Sequence, residues 1–391
     1  MKEGWEYKTL GEVGSFKRGG NFSKKDFVKD GFPCIHYGQI HTKFGIFTEK
    51  HLSFVPANIV KKERCAKKGD LVIAITSEDE EGSCKCTAWM ADYEAYVGGH
   101  TAIYSHTLNP LFMSYYFKSP IFQIEKLNYT HGFKVVEISP KDIAKIKIPI
   151  PSLEEQRRIV SYLDSSFKLI DEIKNKALKS LTEAKALFQS ALAEAMEPKE
   201  GTLMERIGDV FTTYAGGTPL KSQKDYYEGG EIPWLRSGEV CKKYISETEL
   251  YITQKGMENS SAKFYPENTV VVAMYGATAA QVGILKIKAT SNQAVCGIIP
   301  HKDFIPEYVY YWFLFVQDDL ASQAQGGAQP NISQIKIKNV LIPIINKEEQ
   351  KRIVSHLDKL SSKVRAIEEK YQKMVEECDA LKQAMLRDVF E

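Results

Sequence analysis

The chain has little of what marks many protein classes. Nothing in its 391 residues approaches the ~18 consecutive apolar residues that a membrane span needs. Its start, MKEGWEYKTLGEVG, lacks the apolar core of a secretion signal, so a cytoplasmic location with no membrane partner is expected. Charge of one sign is missing too: 52 Lys and Arg stand against 50 Asp and Glu, a net +2. That excludes a polybasic chain held on nucleic acid by charge alone, and equally an acidic solvating chain. The seven cysteines are odd in number and scattered, which argues against a disulfide framework. Cys84-Lys-Cys86 is tighter than the usual zinc spacing and has no matched second pair, so these cysteines are expected as packing residues and no metal is assigned. No P-loop, HExxH or G-x-S-x-G occurs. Asn109-Pro110-Leu111 is the nearest approach to the Asn-Pro-Pro-aromatic segment of an adenine methyltransferase, and it fails. Glu368-Glu369-Lys370 imitates part of a nuclease pattern but falls on a helix. Neither a catalytic residue nor a cofactor of its own is expected.

What is present is a repeat. Glu154 to Asp164 reads EEQRRIVSYLD and Glu348 to Asp358 reads EEQKRIVSHLD. The match extends back to Ile148 and Ile342 (IPIP, IPII) and to Ile138-Ser139 and Ile332-Ser333. Upstream, Gly19-Gly20 answers Gly216-Gly217, and Pro33 and Gly38 answer Pro233 and Gly238. The order is globular unit, marked segment, globular unit, marked segment. The boundaries read as 1–150, 151–197, 198–344 and 345–391.

Each marked segment opens as a helix, with Ser152 to Glu155 and Asn346 to Glu349 as capping boxes. The second carries a heptad seam through Ile353, Leu357, Leu360, Val364, Ile367, Tyr371, Met374, Cys378, Leu381 and Met385. The same register in the first gives Ile159, Leu163, Ser166, Ile170, Ile173, Ala177, Ser180, Ala184, Leu187 and Ala191. Two long helices, about 65 Å each at ~1.5 Å per residue, are expected to pair antiparallel as a coiled coil within the chain. Between them lies mixed α/β material. LVIAIT at Leu71, VVVAMY at Val270, IAKIKIPI at Ile143 and IKIKNVLIPI at Ile335 read as strands. PLFMSYYF at Pro110 and PEYVYYWFL at Pro306 read as short amphipathic helices. The fold class is α+β: two globular mixed α/β domains separated by two long helices, related by a pseudo-two-fold repeat.

Such an arrangement suits duplex DNA, whose symmetric readers meet half-sites one or more turns of ~34 Å apart. Here the loops of the two halves differ while the scaffolding matches, so two unlike half-sites are expected. Geometry leaves a non-DNA coiled-coil adaptor and a free-standing DNA-modifying enzyme open.

Three segments, AGGTPLKSQKDYYEGGEIPWLRSGEV (Ala215 to Val240), GGAQPNIS running into IPI and EEQKRIV, and FPCIHYGQI (Phe32 to Ile40) feeding EEQRRIV, carry a resemblance over essentially the whole chain. They resemble the specificity subunits of type I restriction–modification systems. The resemblance implies two target-recognition domains (1–150 and 198–344), each followed by a helical spacer region. It implies a non-catalytic subunit that reads a bipartite asymmetric DNA sequence and holds two modification subunits. Those partners use S-adenosylmethionine to methylate adenine, and a restriction subunit can join.

Readout is expected from loops on a rigid scaffold. In the first domain Arg18, Lys24 and Lys25 are the phosphate candidates, and Tyr37, Gln39, His41, Ser77 and His100 the base or sugar candidates. In the second domain Lys221, Ser222 and Arg236 are the backbone candidates. Tyr275, Thr278, Asn292, Gln293, Gln329 and Asn331 are the edge readers there, since Asn and Gln match the donor–acceptor pair of adenine. The repeated Glu154, Gln156 and Arg158, with Glu348, Gln350 and Arg352, are expected either to dock two identical modification subunits or to seal each helix against its own domain. By segment the net charges are +4, −1, −1 and 0, so counterion release by the chain alone should be modest and its unaided DNA binding weak.

Overall fold

A computed structural model describes residues 4–132, 135–323 and 331–391. The chain divides into two compact units. Unit 1 contains residues 1–178 and 372–391, and unit 2 contains 179–371.

In unit 1 a five-stranded sheet has the order Gly14–Arg18, Thr101–His106, Leu71–Ala74, Cys86–Trp89, Phe47–Thr48. Its inner pairs are antiparallel, and Phe47–Thr48 joins in parallel at the edge. The strand Leu71–Ala74 is buried along its whole length, as its unbroken apolar run requires. A second sheet sets Phe32–Ile35 beside Ala95–Val97 in parallel, flanked by Ser53–Val55 and Cys65–Ala66. Unit 2 repeats this plan: Thr213–Ala215, Val295–Ile298, Val270–Ala273, Val282–Leu285 and Tyr244–Ile245 form its five-stranded sheet. There, Ile232–Leu235 pairs in parallel with Thr290–Ser291.

Two sequence expectations change. The Ile143 and Ile335 segments do not begin as strands: Pro140–Ile143 and Gln334–Asn339 are helical turns, and the strands are only Lys147–Ile150 and Leu341–Pro343. Ser139 Oγ accepts from the Asp142 amide at 3.2 Å and Ser333 Oγ from the Lys336 amide at 3.4 Å. These caps satisfy amides that a strand would have needed to pair. The helices Pro110–Lys118 and Pro306–Phe315 form where expected but are not amphipathic. Phe112 to Phe117 are all buried, because the sheet lies on one side and a long helix on the other.

The two marked segments are helices of 44 residues each, Leu153–Met196 and Lys347–Phe390. Within unit 1 the early part of the first runs antiparallel to the late part of the second. Lys174 meets both oxygens of Asp379 at 2.6 Å, and Lys382 meets Asp171. Phe390 is buried there, with ring centroids 5.4 Å from both Phe112 and Tyr116. Within unit 2, Leu192 and Met196 share a core with Ile353 and Leu357.

The strict heptad is not kept. Ile173, Leu187, Ile367 and Leu381 are 41%, 57%, 39% and 51% exposed, although each was expected in the seam. The half-buried residue is the next one in every case: Lys174, Phe188, Glu368 and Lys382. The other seam position stays buried, at Leu163, Ile170, Ala177 and Ala184 and at Leu357, Val364 and Cys378, so half of the heptad keeps its register while the other half passes to the following residue.

Candidate nucleic-acid interface

In unit 1, four predicted contact residues converge. Tyr37, His41, Ser77 and His100 line one open cleft of about 570 Å³, together with Glu78, Asp79 and Lys85. The short helix Tyr37–Thr42 supplies the first two. Its start is fixed by His36, which is buried and whose Nδ1 accepts from the Gly38 amide at 3.2 Å. Accepting requires a neutral imidazole, and burial, helped by the charges of Lys24 and His100, lowers the His36 pKa. His41 is likewise lowered by burial, and its Nε2 lies 3.3 Å from the Thr76 carbonyl oxygen. His100 sits at φ +60°, a left-handed turn conformation that aims its ring at Tyr37, 5.5 Å between centroids. Tyr37 also meets His41 edge-on at 6.1 Å.

The backbone hub behind this cleft recurs in unit 2. The Ile75 amide donates to His100 O and Ile138 donates back to Ile75 O, both at 3.0 Å. The Met274 amide donates to Ala294 O and Ile332 to Met274 O, both at 2.8 Å. Tyr275, Gln293 and Asn331 therefore leave three chain segments joined at Met274, and Tyr275 is bridged directly to Asn331. The double glycines brace the same place. A Cβ on Gly19 would lie 1.9 Å from Gly98 O, and one on Gly216 would lie 2.2 Å from Ser291 O. They are points of close backbone approach.

Lys24 and Lys25 are exposed on a short turn, and Lys221 and Ser222 are exposed in the loop after Gly217. Arg18 is exposed and reaches Glu137 at 3.2 Å, a weak surface pair that a phosphate can replace. Tyr275 and Asn331 are exposed, and the Thr278 hydroxyl turns back to Tyr275 O at 3.4 Å. Gln293 is exposed and accepts from Thr218. Gln329 lies outside the described residues.

Several candidates are committed elsewhere. Gln39 Oε1 accepts from the His36 amide at 3.0 Å and its Nε2 donates to Ser53 Oγ at 2.8 Å; it closes the helix cap and is no free edge reader. Asn292 Oδ1 accepts from the Ala294 amide at 3.2 Å, stabilising its own turn. Arg236 is held between Glu239 and Glu249. The missed residue is Lys85. Placed between two buried cysteines in a strand-like run, it carries no signal in sequence that it faces a cleft.

The repeated helix starts split into two roles. Gln156 and Gln350 are 1% and 0% exposed and cannot belong to a partner face. Gln156 accepts from the Asn109 amide at 2.8 Å and donates to Pro151 O at 2.9 Å. Gln350 accepts from the Ile305 amide at 2.8 Å and donates to Asp303 O and Ile345 O at 2.9 Å. Asp164 and Asp358 complete the latch by accepting from Tyr115 and Tyr311. Glu154, Arg158, Glu348 and Arg352 stay exposed. Arg158 grips Glu155 through two bonds of 2.7 Å, and Arg352 grips Glu349 at 2.8 and 2.6 Å.

Among the described residues no group of three or more His, Cys, Asp and Glu side chains could hold a metal ion. Burial pushes the Cys84 thiol up to about 12 and that of Cys86 to about 11, which opposes the thiolate a metal needs. No helix among the described residues is long and apolar enough to cross a membrane.

Comparison with known proteins agrees with this geometry. Residues 2–183 and 200–377 each match the family described as the type I restriction modification DNA specificity domain. The specificity subunit of the Escherichia coli type I restriction enzyme EcoR124I/EcoR124II is 30% identical over 236 residues, 58% of this chain. The chain spans a little over half, 57%, of that relative's length in this match. A solved chain from work on complex assembly and conformational transition of the type I R-M system is 19% identical, with a TM-score of 0.79, over 100% of this chain and 98% of that one. The HsdS subunit from Thermoanaerobacter tengcongensis, 18% identical, aligns with a TM-score of 0.57 over 100% of this chain and 97% of that chain. Two copies of one domain, each with its own hub and long helix, place the chain in the family of type I restriction–modification specificity subunits.

Proposed function

We propose that the chain is the DNA-reading, non-catalytic member of a type I assembly. Residues 1–150 and 198–344 are the target-recognition domains, each reading one half of a bipartite asymmetric site, and residues 151–197 and 345–391 set the spacer. The observation that carries this is the recurring hub, one backbone pattern presenting Tyr37, His41, Ser77 and His100 in unit 1 but Tyr275, Gln293 and Asn331 in unit 2. Different side chains on the same frame make different base-edge patterns. Lys24, Lys25, Lys221 and Ser222 reach the phosphates, and Arg18 joins them by exchanging Glu137 for a phosphate oxygen.

The mirrored pairs Glu154 with Arg158 and Glu348 with Arg352 dock two identical modification subunits. S-adenosylmethionine is bound by those partners, and a restriction subunit completes the assembly. Because neither domain is strongly basic, tight DNA binding arises only when the partners close around the duplex. The test is co-expression with a cognate modification subunit, followed by sequencing of the host DNA for methyladenine. Two short unlike motifs at a fixed spacing are expected. A continuous motif, or none, overturns the reading, and DNA cleavage by the isolated chain would revive an enzyme.

A further inference from the structure

The loop behind the unit 1 cleft is built unlike its counterpart. In unit 1 residues 75–85 connect Leu71–Ala74 to Cys86–Trp89, whereas in unit 2 residues 274–281 connect Val270–Ala273 to Val282–Leu285. The longer loop carries Glu78, Asp79, Glu80 and Glu81 in succession, and like charges in one turn push it open. It is nevertheless tightly tied. Asp79 Oδ1 accepts from the Gly82 amide at 2.5 Å, and the Ser83 hydroxyl donates to Glu80 O at 2.8 Å. A Cβ on Gly82 would lie 2.0 Å from Ser77 Oγ, and Cys84 adopts φ +61°.

Beneath the loop lies Lys126, 1% exposed. Its Nζ donates to Ser83 O at 2.6 Å and to Glu81 O at 3.3 Å. Its bonded partners among the described residues are carbonyls, not carboxylates, so its burial carries a desolvation cost only partly offset by these bonds, a cost that methionine or leucine would avoid. Burial lowers its pKa to about 8, with the Cys84 thiol and Glu81 acting the other way. Unit 2 closes its shorter loop on itself, through Ala279 N to Gly276 O at 3.1 Å and Gln281 N to Thr278 O at 2.9 Å.

We propose that Lys126 is a positioning residue for the half-site read by unit 1. Its buried ammonium ties down Glu81 and Ser83 and so sets where Ser77, Glu78 and Lys85 stand around Tyr37 and His100. This rests on the reading of that cleft as DNA-facing. On the loop, Asp79, Glu81, Cys84 and Lys85 act electrostatically on Lys126. Its other charged surroundings, sharing a cavity of about 950 Å³ with it, are His41, Glu80, Lys118, Asp379 and Lys382. Loss of the Lys126 proton leaves an amine whose two N–H groups lack the positive charge that strengthens both bonds, and so loosens the loop.

The experiment uses the full chain assembled with its modification subunits, and methylation rates on duplexes altered at one base in either half-site. K126M is expected to reduce discrimination at one half-site by about tenfold while leaving the other within about twofold, the scale of one mismatched base pair. K126R restores it, because an arginine still donates to carbonyls at any working pH. In the unmodified chain, discrimination at that same half-site falls as pH rises from about 7 to about 9.5, while K126R stays flat. Retained discrimination in K126M, or identical pH profiles at both half-sites, overturns the inference. If Y37F and H100A change one half-site and K126M changes neither, the inference alone fails. If Y37F and H100A change neither, the DNA-facing reading of the cleft fails and the inference with it. Should K126M not assemble, the pH profile of the unmodified chain decides.

Discussion

After the strand Ala95–Val97, unit 1 reads Gly98-Gly99-His100 and opens a cleft beside Tyr37; after Thr290–Ser291, unit 2 reads Asn292-Gln293-Ala294 and has an exposed edge of Tyr275, Gln293 and Asn331. The backbone bonds behind both are the same. At the preceding turn, His36 in unit 1 is a buried neutral acceptor, whereas Arg236 in unit 2 is a guanidinium held by two glutamates. Yet both turns use one device, the residue's amide donating to a side chain three positions on, Gln39 at 3.0 Å and Glu239 at 3.2 Å. The fold is thus carried by backbone geometry and buried apolar groups, which leaves the side chains at the rim free to diverge.

That comparison can be broken at several points. The largest effect is expected from the ends of the long helices, where Phe390 closes the core of unit 1 and Met196 that of unit 2. Phe390→Ala should cost about 3–5 kcal/mol and Met196→Ala about 2–5 kcal/mol. Hydrogen exchange should show each loss confined to its own unit. Equal loss of protection in both units from either variant would show that they unfold as one.

The latch comes next. Gln156→Leu and Gln350→Leu each strand one backbone amide, with one carbonyl in the first case and two in the second, at about 1–3 kcal/mol. The two effects should be alike in thermal unfolding, and partner stoichiometry should not change. A selective loss of one modification subunit would return these glutamines to a docking role.

Acid should separate the units. His36, His41 and His106 all have pKa values lowered chiefly by burial, His106 to about 4. A folded pKa below the unfolded one means that the unfolded chain binds more protons below about 6.5, so stability is lost as pH falls from there towards about 4. By pH ~5 unit 1 should have lost about 2 kcal/mol on account of His106. His106→Phe, measured by exchange at both pH values, should abolish much of that loss. Unchanged acid sensitivity would place its origin elsewhere.

The smallest expected change in stability is from Arg158→Glu and Arg352→Glu, whose ion pairs are exposed and screened by solvent. Their expected effect is on assembly: each alone should leave one modification subunit bound, and both together none. Two subunits still bound to the double variant would remove this face from docking.

Much of this was legible in the sequence because repetition and periodicity survive without coordinates. EEQRRIV against EEQKRIV located both long helices, and the apolar runs at Leu71 and Val270 located both central strands. Of the site, Tyr37, His41, Ser77 and His100 were identifiable as residues of suitable chemistry, though two of them lie on a short helix. The backbone bonds of Gln39 and Asn292, and which of its two expected roles Gln156 takes, were not legible for one reason. A polar side chain looks equally available in sequence whether it faces a ligand or a nearby backbone amide.

By itself the sequence determined the duplicated order, the place of each long helix and of the buried strands at Leu71 and Val270, and the near balance of charge, since all of these depend on local pattern and composition. Only the tertiary structure decided which seam positions of each helix are buried, because burial depends on what packs against the helix and not on its own spacing. Only it brought four side chains from three separate segments into one cleft, and set a buried lysine beneath a loop of four acids. Those placements depend on which backbone groups approach one another across the sheets, and no spacing along the chain records that.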